Sequence, residues 1–287
     1  MNTQAIDGFA YGEMVKVGVS RLNANRKAIN DLNVFPIPDG DTGDNMFMTI
    51  EAGSIAALES DLGKSAKAIS SGMLLGARGN SGVILSRIFA GIAKGLDGSA
   101  QADLALWRVA MSEGVNESYK AVSVPVEGTI LTVFKDGVNM ANASDAQDFE
   151  TYFKIMIKEM EASLDRTPEL LSCLKEAGVV DSGGAGILSI VRGMAAAVDG
   201  EKSGRIASGD SGRKTNVNLD NFNEDTELVF GYCTEFLLRL QRSKIPDIPS
   251  FNEEIIRDYL TGNRDVKNFH SERLELGGDG ITVVHLK

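Results

Sequence analysis

The chain has 287 residues and a mass of 30.7 kDa, enough for about two domains of ordinary size, and its 43% hydrophobic and 24% charged residues describe a globular protein with a sizeable core. With 29 basic and 40 acidic residues the net charge is −11, which argues against nucleic acid as a partner but leaves room for a polyanion held locally through metal ions. Two cysteines, Cys173 and Cys233, are too few for a disulfide framework, no stretch approaches the ~18 apolar residues of a membrane span, and the first residues carry neither a basic nor an apolar signal region, so a cytoplasmic protein is expected.

In the first segment Val15, Val19, Leu22, Ile29 and Leu32 share one face at helical spacing. Further helical stretches are expected at about 45–59, 64–76, 82–96, 102–121, 130–142, 148–164, 168–177 and 185–198. Thr167-Pro168-Glu169 reads as a helix start, with a hydroxyl cap followed by proline at the first helical position. Gly178 is placed to end that helix in the left-handed conformation. Residues 1–200 therefore read as an all-α domain, a helical bundle. The turn-rich residues 201–226 read as a linker, and 227–287 as a small α+β domain. In that tail 227–240 begins as a strand, Ser250 and Glu253 form a capping box for a short helix, and 281–286 is a β-branched final strand.

Glycine is abundant, at 31 residues or about 11% against an average near 7%. It gathers in short segments, as in backbone-lined phosphate sites. The first such segment runs from Asn33 through Pro36, Pro38, Asp39, Gly40, Asp41, Thr42 and Gly43 to Asn45. Two carboxylates one glycine apart in a tight turn can reach one hard cation, and oxygen-only ligands suit magnesium. The helix that follows offers N–H groups to a phosphate. The competing reading is a polar turn with aspartate as helix cap.

Three more segments have similar character. Gly76–Ser86 contains Arg78, Gly79, Asn80, Ser81 and Gly82, small residues at a helix start without the lysine of a Walker A loop; simple capping between packed helices would explain it equally. Pro125–Leu131 contains Glu127, Gly128 and Thr129. The fourth, 177–186, contains Gly178, Asp181, Ser182, Gly183, Gly184 and Gly186. Four such loops at one end of a bundle would form a polar mouth for a nucleotide and metal ions.

Taken in order, these four motifs resemble the nucleotide-binding domain of dihydroxyacetone kinase, and more closely the ATP-binding subunit of bacterial fatty acid kinase, over about residues 1–200. The resemblance implies an eight-helix antiparallel barrel that binds Mg-ATP or Mg-ADP in the mouth formed by the inter-helix loops. It implies magnesium ligation by Asp39 and Asp41, with Asn33 at the position of a third ligand, and a catalytic role for these acids and Thr42. It further implies nucleotide or phosphate contacts at Asn45, Gly79, Asn80, Ser81, Gly82, Gly128, Thr129 and Asp181. The acceptor would be a fatty acid carboxylate presented by a lipid-binding partner protein, giving an acyl phosphate. A dihydroxyacetone-type acceptor and a non-catalytic nucleotide-binding module are the alternatives. Residues 227–240 resemble the start of that subunit's middle domain, linked to dimerisation, so a homodimer is expected; Cys233 and His285 match a required cysteine and the first histidine of a Val-His strand. Relative to that subunit the chain is expected to be shortened. Trp107 and Cys173 are expected to pack, and His270 to lie in a polar surface stretch.

Overall fold

A computed structural model describes residues 5–122, 124–203, 266–271 and 282–286. The chain divides into two compact units, Met1–Asn223 and Glu224–Lys287. The described part of the first unit contains nine helices: α1 Gly8–Asn30, α2 Thr42–Ser54, α3 Leu62–Gly76, α4 Gly79–Gly95, α5 Leu104–Tyr119, α6 Ile130–Ala143, α7 Phe149–Leu170, α8 Ser172–Ala177 and α9 Ser182–Val198. Two short strands, β1 Ile6–Asp7 and β2 Gln101–Ala102, pair antiparallel. Successive helices from α1 to α8 pack on one another, and α9 packs along α1.

Helix starts follow a simple division. Asp7, Asp61, Asp103, Asp148 and Asp181 each accept a hydrogen bond from the backbone N–H three residues on, capping α1, α3, α5, α7 and α9. Each such cap contributes about 1 kcal/mol. No side chain of the N-cap residue does this for α2, α4 or α6.

Many glycines are spent on helix crossings rather than on loops. A methyl at Gly193 of α9 would lie 2.6 Å from the Gly18 Cα of α1, and one at Gly91 of α4 would lie 2.7 Å from the Gly114 Cα of α5. The backbones touch at these two crossings, closer than any side chain permits. Around them Tyr11, Trp107, Phe149 and Phe153 form a buried aromatic cluster with edge-on and tilted rings. Trp107 thus packs as expected, while Cys173 is half-buried beside a small satellite cluster of Leu174, Ala177 and Val179.

One expected helix start is corrected. Pro168 lies inside α7, which runs on to Leu170. A proline there leaves the carbonyl four residues back without its N–H donor. Here that carbonyl belongs to Leu164, and the Thr167 hydroxyl donates to it at 2.7 Å. The chain breaks instead at Leu171, and α8 ends as expected at Gly178 in the left-handed conformation, φ 68°.

In the second unit β3 Val266–Ser271 pairs antiparallel with β4 Thr282–Leu286, placing His270 opposite Val283 and Asn268 opposite His285, with an irregularity between Val266 and Asn268. The final strand falls where its β-branched run predicts. His270, expected in a polar surface stretch, lies in a strand. Residues 227–240, the capping box at 250–253 and Cys233 lie outside the described residues.

Candidate functional site

The four glycine-bearing segments open α2, α4, α6 and α9, and direct contacts link these starts. The Ser182 hydroxyl, at the first residue of α9, donates to Thr42 Oγ1 at 3.1 Å and to Asn33 Oδ1 at 3.4 Å. Thr42, the first residue of α2, donates its own hydroxyl to Asn33 Oδ1. The Asp181 carboxylate accepts from Gly184 N–H at 2.6 Å and from the backbone of Ile130, the first residue of α6. At α4, a methyl on Gly82 would lie 2.3 Å from Thr49 Oγ1 and 3.3 Å from the carbonyl of Asn45, so the first turn of this helix rests on α2. The starts of α2, α4, α6 and α9 are thus joined to one another by direct contacts. The capped starts of α1, α3 and α5 meet elsewhere, where Gly8 N–H donates to Ser60 O and β1 pairs with β2.

Within the first loop, Asn33 acts as a brace. It is 7% exposed, and its amide nitrogen donates to Ile37 O at 2.8 Å and to Asp39 Oδ1 at 2.6 Å. Its amide oxygen is taken by Thr42 and Ser182. Gly40, with φ 67°, allows the turn between the two acids. Desolvation pushes the Asp39 carboxyl up, the adjacent Asp41 carboxylate pushes it further, and the Asn33 bond only partly offsets them, leaving it at about 6. Two carboxylates close enough for Asp41 to disfavour the charge on Asp39, on a loop that supplies only oxygen ligands, suit a divalent cation. Among the described residues no group of three or more His, Cys, Asp or Glu is assembled as a metal site, so such a cation would draw the rest of its shell from water or from phosphate.

The helix starts differ in what they leave open. Asn30, at the end of α1, presents Oδ1 to the N–H groups of Gly43 at 2.7 Å and Asp44 at 3.2 Å. The expected anion-binding N–H groups of α2 are therefore already occupied. A methyl at Gly43 would strike Arg26 O at 2.4 Å, which is why glycine stands there. At α4 the situation is reversed: no side chain of the N-cap residue caps it, and the N–H groups of Gly79, Asn80 and Ser81 find no acceptor among the described residues. The segment that was the weaker signal in the sequence thus carries the more open helix start. Asn45 is 7% exposed.

The third loop is held by Glu127. Its carboxylate accepts from Thr132 Oγ1 at 2.6 Å, Tyr119 Oη at 2.9 Å and Lys135 Nζ at 2.9 Å; Thr132 Oγ1 in turn accepts from Gly128 N–H at 2.7 Å. Desolvation pushes Glu127 up, but these three donors outweigh it and hold the carboxyl below its ordinary value. The Thr129 hydroxyl turns back to Val126 O at 2.8 Å, so it does not cap α6. Asp181 is buried, and desolvation pushes it up to about 7 against the opposing N–H bonds from Gly184 and Ile130.

Two residues escaped sequence reasoning: Ser182, inside a quoted motif but given no role of its own, and Asn30, outside every motif. Both act through contacts with residues distant in the chain, which no local pattern shows. A groove of about 410 Å³ lined by Lys94, Glu113, Asn116, Tyr119, Lys120 and Lys135 contains none of the expected site residues. No helix among the described residues is long and apolar enough to cross a membrane.

A helical unit with paired acids on the loop before α2 and an uncapped glycine-rich helix start resting on α2 defines the architectural class. The model of the DAK2 domain matches residues 36–196, more than half of the chain, and the chain belongs to this family. It is 37% identical over 296 residues to protein YloV of Bacillus subtilis, covering all of this chain and 52% of that protein. It is 36% identical over 297 residues to an uncharacterized protein of Staphylococcus aureus strain USA300, covering 98% and 51% respectively. The chain thus spans about half the length of these curated relatives. Among solved structures, the dihydroxyacetone kinase from C. freundii in complex with AMP-PNP and Mg2+ aligns over 64% of this chain and 33% of its own, with TM-score 0.49 and 16% identity.

Proposed function

We propose that the helical unit is the ATP-binding part of a magnesium-dependent kinase, which passes the γ-phosphoryl group to an acceptor held by a partner protein, a fatty acid carboxylate. The observation that carries this reading is the junction of Asn33, Asp39, Thr42 and Ser182, which fixes Asp39 where the starts of α2 and α9 meet. Membership of the DAK2-domain family supports it.

Asp39 and Asp41 would hold Mg2+, which supplies charge neutralisation between phosphate oxygens. Asn33 orients Asp39 rather than ligating, because its oxygen is committed to Thr42 and Ser182. Thr42 and Ser182 set the distance between the starts of α2 and α9. Gly79, Asn80 and Ser81 present N–H groups to phosphate oxygens, and Gly82 lets α4 approach Asn45 closely enough for both to face one ligand. Gly128 and Thr129 would add contacts to the nucleotide from the start of α6, where Glu127 holds Gly128 through Thr132 and Asp181 holds the backbone of Ile130. In such transfers the protein contributes positioning and electrostatics rather than covalent chemistry. The acceptor carboxylate oxygen forms the new bond to phosphorus as the bond to the β-phosphate oxygen breaks, releasing ADP and an acyl phosphate. We assign the chain to the cytoplasm and residues 227–287 to a separate small domain that pairs two copies.

Calorimetric titration of ADP and ATP, with magnesium and with chelator, tests the site on wild type, Asp39→Ala and Asp41→Ala. Magnesium-dependent binding that both variants lose is the expected result. No binding by wild type under any condition overturns the reading. Consumption of ATP only when a fatty acid-loaded partner is added then separates the kinase from a module that binds nucleotide without turnover.

A further inference from the structure

We infer that Arg78 is the side chain that grips the terminal phosphoryl group of the nucleotide and so distinguishes triphosphate from diphosphate; this rests on the Mg-nucleotide reading above. The starting observation is what the described arginines do. Arg21 pairs with Glu201, Arg26 with Asp44, Arg87 with Glu117, Arg166 with Glu159 and Arg192 with Glu161. Arg108 is caged by the carbonyls of Ala141, Asn142, Ser144 and Ala146. Among the described residues Arg78 alone has neither an acid nor such a cage: its guanidinium makes one bond, to the carbonyl of the preceding Ala77, at 2.9 Å.

In a chain of net charge −11, the described arginines other than Arg78 and the carbonyl-caged Arg108 all pair with an acid. Arg78 is the N-cap residue of α4, directly before the N–H groups that lack acceptors. Its backbone, by contrast, is held: Arg78 N–H donates to Thr49 Oγ1 at 3.2 Å, and Thr49 donates to Asn45 O at 2.7 Å. Gly79, with φ 55°, then turns the chain into the helix. A fixed backbone, a side chain on one exchangeable local bond, and a neighbouring row of open N–H donors together form an anion-binding arrangement. Arg26, which lies against α2, is unavailable, because it pairs with Asp44 and stacks on Phe47.

The choice of the terminal phosphoryl follows from depth. Thr42, Asn45 and Ser182 are buried, whereas Arg78 is only half-buried. A phosphoryl group that leaves for an acceptor arriving from outside must face the rim, where Arg78 stands. A guanidinium offers a planar fork of donors to phosphate oxygens that an ammonium cannot reproduce.

The test is calorimetric binding of Mg-AMP-PNP and Mg-ADP to the full chain as wild type, Arg78→Ala and Arg78→Lys, with circular dichroism and melting to show that each variant folds. The expected result is that Arg78→Ala weakens Mg-AMP-PNP roughly tenfold or more and Mg-ADP by less than about threefold, and that Arg78→Lys recovers part of the loss. Equal affinities of wild type and Arg78→Ala for both nucleotides overturn the inference. So does equal weakening of both nucleotides, which would mark a structural role. A wild-type chain that binds neither nucleotide overturns the Mg-nucleotide reading, and this inference falls with it.

Discussion

Ser182 and Thr42 stand 140 residues apart in the chain, yet their hydroxyls meet at 3.1 Å. The bond joins the first residue of α9 to the first residue of α2, and both share the amide oxygen of Asn33. Removing the hydroxyl by Ser182→Ala should cost about 1 kcal/mol of stability, the usual worth of such a bond. The larger effect is expected on ligand binding, because Asn33 loses one of the partners that set its amide. Denaturant unfolding and nucleotide titration of the same variant separate the two effects, with binding expected to weaken more than the stability loss accounts for.

A second prediction concerns pH and magnesium. The Asp39 carboxyl sits at about 6 in the folded chain against an ordinary 3.8, so the folded state binds more protons than the unfolded state between these values. Stability conferred by the neutral form is therefore complete below about pH 4 and is lost as pH rises through about 6. Under the proposed function magnesium would bind the charged form, so its stabilising effect should be small at pH 5 and grow through pH 6 to 7. Melting curves with magnesium and with chelator check this; Asp39→Asn should flatten the pH dependence and abolish the magnesium response.

Asp181 predicts a related slope of different origin. Its carboxyl, pushed by burial to about 7, removes stability as pH rises from about 4 to about 7, with or without magnesium. Asp181→Asn keeps an oxygen for the Gly184 N–H and has no charge to bury. Its chelator-treated melting temperature should therefore vary less across pH 5–8 than that of wild type, and an unchanged slope would show that Asp181 is not the titrating group.

The Gly18–Gly193 crossing yields a prediction remote from any ligand. A methyl at Gly193 would stand 2.6 Å from the Gly18 Cα and 2.7 Å from Val17 O, atoms of a backbone that cannot step aside. Gly193→Ala should cost about 1–3 kcal/mol, the range for overpacked cores, or more. Gly98→Ala serves as the comparison: nothing lies within 4 Å of it, and its φ of 72° leaves only the backbone strain, about 1 kcal/mol. Urea unfolding of the two variants should rank them in that order.

Much of the helical unit was legible because its signals are local. Apolar residues recur at helical spacing in α1, and aspartates precede α3, α5, α7 and α9. Gly178 marks an end that it does supply. What was not legible depends on partners far along the chain. Pro168 reads as a helix start until the Thr167 hydroxyl is seen to satisfy the carbonyl that proline abandons, while the same oxygen accepts the Asp181 N–H at 3.1 Å. The start of α2 reads as open until Asn30 is found on its N–H groups. Glycine abundance pointed to phosphate loops, yet Gly18, Gly91, Gly114 and Gly193 serve helix contact. The acid pair was visible as a motif; the brace from Asn33 to Asp39 was not, because it depends on how the loop folds back on the end of α1.

The packing of α9 along α1 has a topological consequence. Glu201 returns to Arg21 at 3.0 Å, and Ser203 N–H reaches the Glu13 carboxylate at 2.6 Å, so the chain leaving α9 runs along α1 from its middle toward its start. A short peptide could join residue 203 to residue 6 without disturbing either helix. The exposed Asp97–Gly98 turn, which has open space around Gly98, then offers a place for new termini. A circularly permuted helical unit built this way should keep the junction of Asn33, Thr42 and Ser182 intact, since it lies at the opposite ends of α1 and α9 from the joined residues.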